Sequence, residues 1–200
     1  MAERSARDAL MDATEYLVAE RGMAVSLREI AARAGQRNNS AVIYHFGSHD
    51  GLIKATLERR MTGLEQRRRT LLAELEAMPT CSILDVMRAI IDPALEIPYA
   101  EGATHYARFV EQIRTHPIIS QAVPSSETWP AVMMLVKRLR ALMPADHQRS
   151  HARRIQMLTT ALFALMADYE RRGELGTRRG RTRASAELVS GLSALLTAPV

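Results

Sequence analysis

Arg37, Asn39, Ser40 and Ala41 stand within five positions of one another, and their types suit the edges of base pairs. An arginine can give two hydrogen bonds to guanine, an asparagine can pair with adenine, and an alanine or a serine methylene can touch a thymine methyl. Tyr44 and His45 follow a turn later, where a hydroxyl or an imidazole reaches phosphate. Around Ser48 and His49 the start of another helix offers free amides to a further phosphate. With Ser26 and Asn38, which cap the two helices concerned, the candidate DNA-binding set is Ser26, Arg37, Asn38, Asn39, Ser40, Ala41, Tyr44, His45 and His49. For Tyr44 and Phe46 a place in the core is the competing reading, and for Phe46 it is preferred.

Other chemistry is sparse. The chain has no glycine-rich phosphate loop, no serine nucleophile elbow and no carboxylate pair with a positioned base, so no catalytic residue is assigned and an enzyme is not expected. The single cysteine, Cys81, permits neither an intrachain disulfide nor a thiolate metal cluster, and suits a reducing cytoplasm. His147 and His151 are four apart, a metal-binding spacing, but no third ligand stands nearby and a solvated helix start is the expected reading. No cofactor and no metal are expected. The basic run from Arg171-Arg172 to Arg181 reads as a charged solvated loop, with a second nucleic-acid patch as the alternative.

The reading residues need short, well-delimited helices to present them. Ser26-Leu27-Arg28-Glu29 is a capping box, in which hydroxyl and carboxylate each satisfy the other residue's amide. It opens a short helix, Leu27 to Ala34, ended by Gly35. After a turn through Gln36 and Arg37, Asn38 is expected to cap a third helix, Asn39 to His45. A first helix, Arg4 to Arg21, carries Leu10, Ala13 and Leu17 at helical spacing. Ser48 caps a long fourth helix reaching about Ala77, with Leu52, Ile53, Leu57, Met61, Leu64, Leu71 and Leu75 as its apolar stripe. Helical patterns broken by prolines follow over residues 83–97, 103–116, 125–143 and 146–172. A basic loop, Gly173 to Arg183, then leads to a last helix, Ser185 to Leu196.

Composition agrees with an all-α chain. Hydrophobic residues make up 47%, aromatics only 4%, and Ala, Leu, Met, Arg and Glu dominate. These residues lose little side-chain freedom in a helix. The formal charge of +5 is compatible with nucleic acid without requiring it. Residues 1–10 lack an apolar signal core and no apolar run reaches the roughly 20 residues of a membrane span, so a soluble, cytoplasmic protein without membrane contact is expected.

Arg21-Gly22, the run Ser26-Leu27-Arg28-Glu29-Ile30-Ala31-Ala32-Arg33-Ala34-Gly35, and the run Tyr44-His45-Phe46-Gly47-Ser48-His49-Asp50-Gly51-Leu52-Ile53 together resemble the DNA-binding domain of the tetracycline-repressor (TetR) family. The resemblance covers about the first quarter of the chain. It departs from the family at the turn, which reads one residue longer, at Ile43, where tyrosine is common, and at His49, where lysine is common. It implies a helix-turn-helix domain over residues 1–48, and a helical regulatory and dimerisation domain over residues 49–200. It further implies a homodimer through the last two long helices, reading double-stranded DNA at a pseudo-palindromic operator. A small apolar or amphipathic ligand is implied among the middle helices, with Tyr99, Tyr106, Phe109, Ile113, Trp129, Met133 and Phe163 as candidate lining, Met134 beside them, and His105, Glu111 and His116 as polar contacts. Large apolar residues at helical spacing are more often core than lining, and that reading stands beside the first. The expected role is a regulator, most simply a repressor released from DNA by its ligand.

Overall fold

A computed structural model describes residues 5–97, 105–117, 119, 128–144 and 150–199. These residues form nine α-helices, one 3-10 turn and no strand, so the all-α expectation holds. The helices are α1 (Ala6–Arg21), α2 (Leu27–Arg33), α3 (Ser40–Phe46), α4 (His49–Ala77), α5 (Ile83–Leu95), α6 (Tyr106–Ile113), α7 (Pro130–Leu142), α8 (His151–Arg171) and α9 (Arg178–Thr197). The chain groups into two compact units. One holds Met1–Met61 with His105–Val123, the other Thr62–Thr104 with Pro124–Val200. Packing thus divides α4 between the units and places α6 with the N-terminal helices.

In the first unit, α1 is capped by Ser5, whose hydroxyl accepts from the Asp8 amide at 3.1 Å. Leu10, Met11 and Leu17 of α1, Val25, Ile30 of α2, Val42 of α3 and Leu52 of α4 form one buried cluster. Burying such side chains contributes roughly 1.5–3 kcal/mol each. α6 lies along α1 and buries Tyr106, Phe109 and Ile113.

Arg59 and Arg60 tie α4 to acids of α1. Arg59 bonds Asp12 at 2.7 Å, and Arg60 holds Glu15 through both nitrogens facing it. Gly51 makes the α3–α4 junction possible: a Cβ there would lie 2.1 Å from the Phe46 carbonyl oxygen.

The second unit differs from the sequence expectation in three ways. The α4 stripe runs through Leu64, Glu65, Arg68, Leu72 and Leu75, not through Leu71. Steps of three and four residues from Leu57 lead through position 68 to 72, and the charge of Arg68 disguises that step. Glu65, only 5% exposed, accepts from the Ala131 and Val132 amides at the start of α7 and so serves as its cap from another helix. Arg68, 6% exposed, donates to the Ile90 carbonyl at 3.0 Å.

The third difference concerns the basic loop. Its residues from Arg178 to Arg183 are the first turns of α9. Thr177 is the reason, since its hydroxyl accepts from the Gly180 amide at 3.0 Å and starts the helix early. The loop proper shrinks to a 3-10 turn, Glu174–Gly176. Proline at position 93 stays inside α5 without ending it.

Candidate nucleic-acid interface

The interface is built from α2, the turn behind it, α3 and the start of α4. Ser26 and Glu29 form the expected capping box: the Glu29 amide reaches Ser26 Oγ at 3.3 Å, and the Ser26 amide reaches the Glu29 carboxylate at 2.9 Å. The backbone and hydroxyl bonds from Ser26, helped by Arg21 at 2.9 Å, hold the Glu29 carboxyl below its ordinary range. α2 ends on Gly35 with φ +72°, and the Gln36 amide turns back to the Ala31 carbonyl at 2.9 Å. This pattern stops a helix abruptly and needs the left-handed region that glycine adopts freely.

The cap of α3 differs from expectation. The helix begins at Ser40, and Asn39 takes the N-cap position with no side-chain bond. Asn38 accepts from the Ser40 amide at 3.0 Å, one residue ahead of the cap. Asn39 is already helical in backbone (φ −78°, ψ −3°), so Asn38 closes a local turn in front of the helix.

α3 has one inner and one outer face. Val42 is fully buried. Phe46 packs on the N-terminal core, with the Arg7 guanidinium 5.2 Å from its ring centre. Tyr44 is 84% exposed, Ile43 51% exposed, and Arg37, Asn38, Asn39 and Ser40 are exposed as well. Tyr44 is therefore outside the core, as Phe46 is not.

Gln36, Arg37, Asn38, Ser40, Ala41, Tyr44 and His45 line a shallow concavity of about 670 Å³. It brings together most of the residues named from sequence. Ser26 is fixed in its capping box, and Asn39 sits at the cap without lining the concavity. His49 opens α4, and its Nε2 is shielded from solvent without a hydrogen bond among the described residues. At the same helix start Ser48 Oγ accepts the Gly51 amide at 2.9 Å. Ile43, read from sequence only as a departure, is a large apolar side chain left on the outer face. Its signal was available: it follows the buried Val42 by one position, about 100° around the helix.

Two family models match this chain. Residues 10–56 match the description "Bacterial regulatory proteins, tetR family". Residues 88–198, more than half the chain, match "Tetracyclin repressor-like, C-terminal domain".

The chain belongs to the TetR family of transcriptional regulators.

Solved TetR-family structures share its fold. A putative TetR regulator from Shewanella sp. PV-4 is 15% identical with a TM-score of 0.57, covering 94% of this chain and 98% of its own. A TetR regulator from Pseudomonas syringae pv. tomato is 15% identical with a TM-score of 0.52, and both chains are covered over 100%. NalD of Pseudomonas aeruginosa, described as the secondary repressor of the MexAB-OprM multidrug efflux pump, is 20% identical with a TM-score of 0.53, over 98% and 97%. No curated protein matches the chain.

Within this TetR-family regulator the residues named for a ligand fall in separate places. Tyr106, Phe109 and Ile113 are at most 2% exposed on α6 and pack in the first unit, where the Tyr106 hydroxyl donates to Met61 Sδ at 3.8 Å. Trp129, 7% exposed, is the N-cap residue of α7, and Met133 lies one turn on, half-buried. Phe163 is half-buried on α8, and Met134 is exposed on α7. Tyr99 and His147 lie outside the described residues. His105 is held by its neighbours, edge-on to Tyr16 at 4.8 Å between ring centres and with Nδ1 2.9 Å from Arg108. Glu111 pairs with Arg114 at 2.9 Å. Among the described residues no group of three or more His, Cys, Asp or Glu side chains is placed to hold a metal, and no helix is long and apolar enough to cross a membrane.

Proposed function

We propose that the protein is a sequence-specific repressor that binds a pseudo-palindromic operator as a homodimer and leaves it when a small apolar or amphipathic ligand binds. One observation carries the DNA-reading part. A capped helix and an abrupt glycine turn hold α3 so that Val42 is buried while Tyr44 is 84% exposed, beside exposed Arg37, Asn39 and Ser40. A buried inner face with polar and aromatic groups outside is what a helix needs to enter the major groove. In this reading Arg37, Asn39, Ser40 and Ala41 contact base edges. Tyr44, His45 and the α4 start at His49 contact phosphates, while Ser26 and Asn38 set the two helix entries. Residues 1–48 are the reading domain and 49–200 the regulatory domain.

The homodimer rests on α8 and α9. Each presents exposed small or apolar residues on one side, Met157 and Leu165 on α8, Ser190, Gly191 and Ala194 on α9. Small residues allow two helices to approach closely. Of the residues named for a ligand, Trp129, Met133 and Phe163 lie in the second unit and are the candidate contacts of the regulatory domain in this reading. The protein acts in the cytoplasm, on double-stranded operator DNA.

The test is binding of the full chain to labelled duplex from upstream of its own coding region, against a scrambled duplex, across a salt series. The expected result is a steep shared salt slope with far tighter binding to the native duplex. Equal affinity for both duplexes, with a random-sequence selection that enriches no motif, would reject the reading.

A further inference from the structure

Arg88 and Asp92 stand one turn apart on α5, and Arg178, Arg181, Thr182 and Ser185 occupy the first turns of α9. Together they wall an open cleft of about 550 Å³, within the size range of small-molecule sites. The early start of α9 creates it, because Arg178 and Arg181 would otherwise belong to a loop. Capping by Thr177 fixes the helix start, and Arg181 Nη1 is anchored on the Leu175 carbonyl at 2.9 Å. Glu96 also lines the cleft, and its carboxylate is engaged by Arg67 at 3.6 Å. Arg88 feels the charges of Asp85 and Asp92 on its own helix, but among the described residues neither Arg88 nor Arg178 makes an ion pair within 4.0 Å, so both guanidiniums keep donors for an outside anion.

Asp92 gives the cleft a second polarity. Ser185 Oγ donates to Asp92 Oδ1 at 2.6 Å, which leaves Oδ2 to accept from a ligand. Burial pushes the Asp92 carboxyl above its ordinary range, against the opposing pull of the Ser185 bond and of Arg88. Guanidinium forks match the oxygens of carboxylates and phosphates, and a half-buried carboxyl beside them favours a hydroxyl donor.

We propose that this cleft binds a small molecule carrying one oxyanion, a phosphate monoester or a carboxylate, together with a hydroxyl. The oxyanion lies on Arg88 and Arg178, and the hydroxyl donates to Asp92. The site uses none of the residues assigned to DNA or to the apolar ligand, so it stands or falls separately from the proposed function.

Isothermal titration of the full chain with sn-glycerol 3-phosphate and, separately, with glycerate tests it, with ionic strength held by sodium chloride. One probe per chain is expected, with affinity reduced on the order of tenfold or more in Arg88→Gln/Arg178→Gln. Both arginines are exposed, so the variant should keep the parent's melting temperature in the absence of probe. Saturation by glycerol 3-phosphate alone assigns a phosphate ligand, and by glycerate alone a carboxylate. Heat no greater than sodium chloride gives, or equal affinity in the double variant, overturns the proposal.

Discussion

Arg60 on α4 holds Glu15 on α1 through two parallel hydrogen bonds, Nε to Oε2 at 2.7 Å and Nη2 to Oε1 at 2.8 Å. Glu15 is only 3% exposed and Arg60 23%. Burial pulls the guanidinium down, but the Glu15 bond and charge outweigh it, so Arg60 is more firmly protonated than usual. Removing one partner strands the other charge in a poorly solvated place. Glu15→Ala is expected to cost about 3 kcal/mol, and Glu15→Met with Arg60→Met to recover part of that loss. Urea unfolding followed by circular dichroism measures both. A loss below about 1 kcal/mol for Glu15→Ala would mean that the pair is not strained by its removal.

Two glycines of α4 should respond in opposite directions. A Cβ at Gly51 meets the Phe46 carbonyl at 2.1 Å, whereas one at Gly63 meets nothing within 4 Å. Gly51→Ala therefore has to push α3 and α4 apart, and should lower both stability and DNA affinity. Gly63→Ala should stabilise by roughly 0.5–1 kcal/mol, because alanine loses less backbone freedom in a helix. Thermal melting and DNA titration of the two variants side by side decide it.

His105 makes the first unit sensitive to acid. Burial, then the Arg108 charge, lower its pKa below the ordinary 6.5, against the weaker pull of Glu15 and Glu20 and alongside Arg33. In the unfolded chain His105 takes up a proton near pH 6.5, and in the folded chain only below that. The unfolded state thus binds more protons in the window beneath 6.5. The stability that neutral His105 confers is complete above pH 6.5 and is lost as pH falls through the folded value. His105→Asn should flatten the decline of melting temperature between pH 7.5 and 5.5. An unchanged decline would place the acid sensitivity elsewhere.

Substitutions in the turn before α3 and on its outer face should separate base reading from phosphate binding. Arg37→Ala and Asn39→Ala should each cost about 1–3 kcal/mol on the native operator and relax specificity at one position. Tyr44→Phe should weaken all duplexes about equally, since a phosphate contact carries no sequence information. Competition assays against operators with single base changes provide the readout. None of the three should shift the melting temperature by more than a few degrees, because all three side chains are exposed.

The reading head was legible because its signals are local. Ser26 and Glu29 cap each other within four residues, Gly35 ends α2 from its own backbone, and the text from Tyr44 to Ile53 carries the family resemblance. The start of α3 was misplaced by one residue for a local reason too: an asparagine can serve as a cap or as a turn acceptor just before it, and Asn38 and Asn39 both qualify. The basic run before Ser185 read as a loop because arginine and glycine dominate it, and one threonine cap at position 177 outweighed that composition.

By itself the sequence determined the all-α class, the helix-turn-helix and its cap, and the membership that follows, since periodicity, capping and motif spacing are written in neighbouring residues. The core place of Phe46 was already the preferred reading of the sequence, but only the tertiary structure decided that Tyr44 faces outward. It alone placed Glu65 on the amides of α7, Arg60 on Glu15, and Arg88 and Asp92 of α5 beside the first turns of α9. Those partners are 66, 45 and 93 residues apart in the chain, in that order. A charged residue reads as solvated from its own neighbourhood, and only a distant partner makes it worth burying.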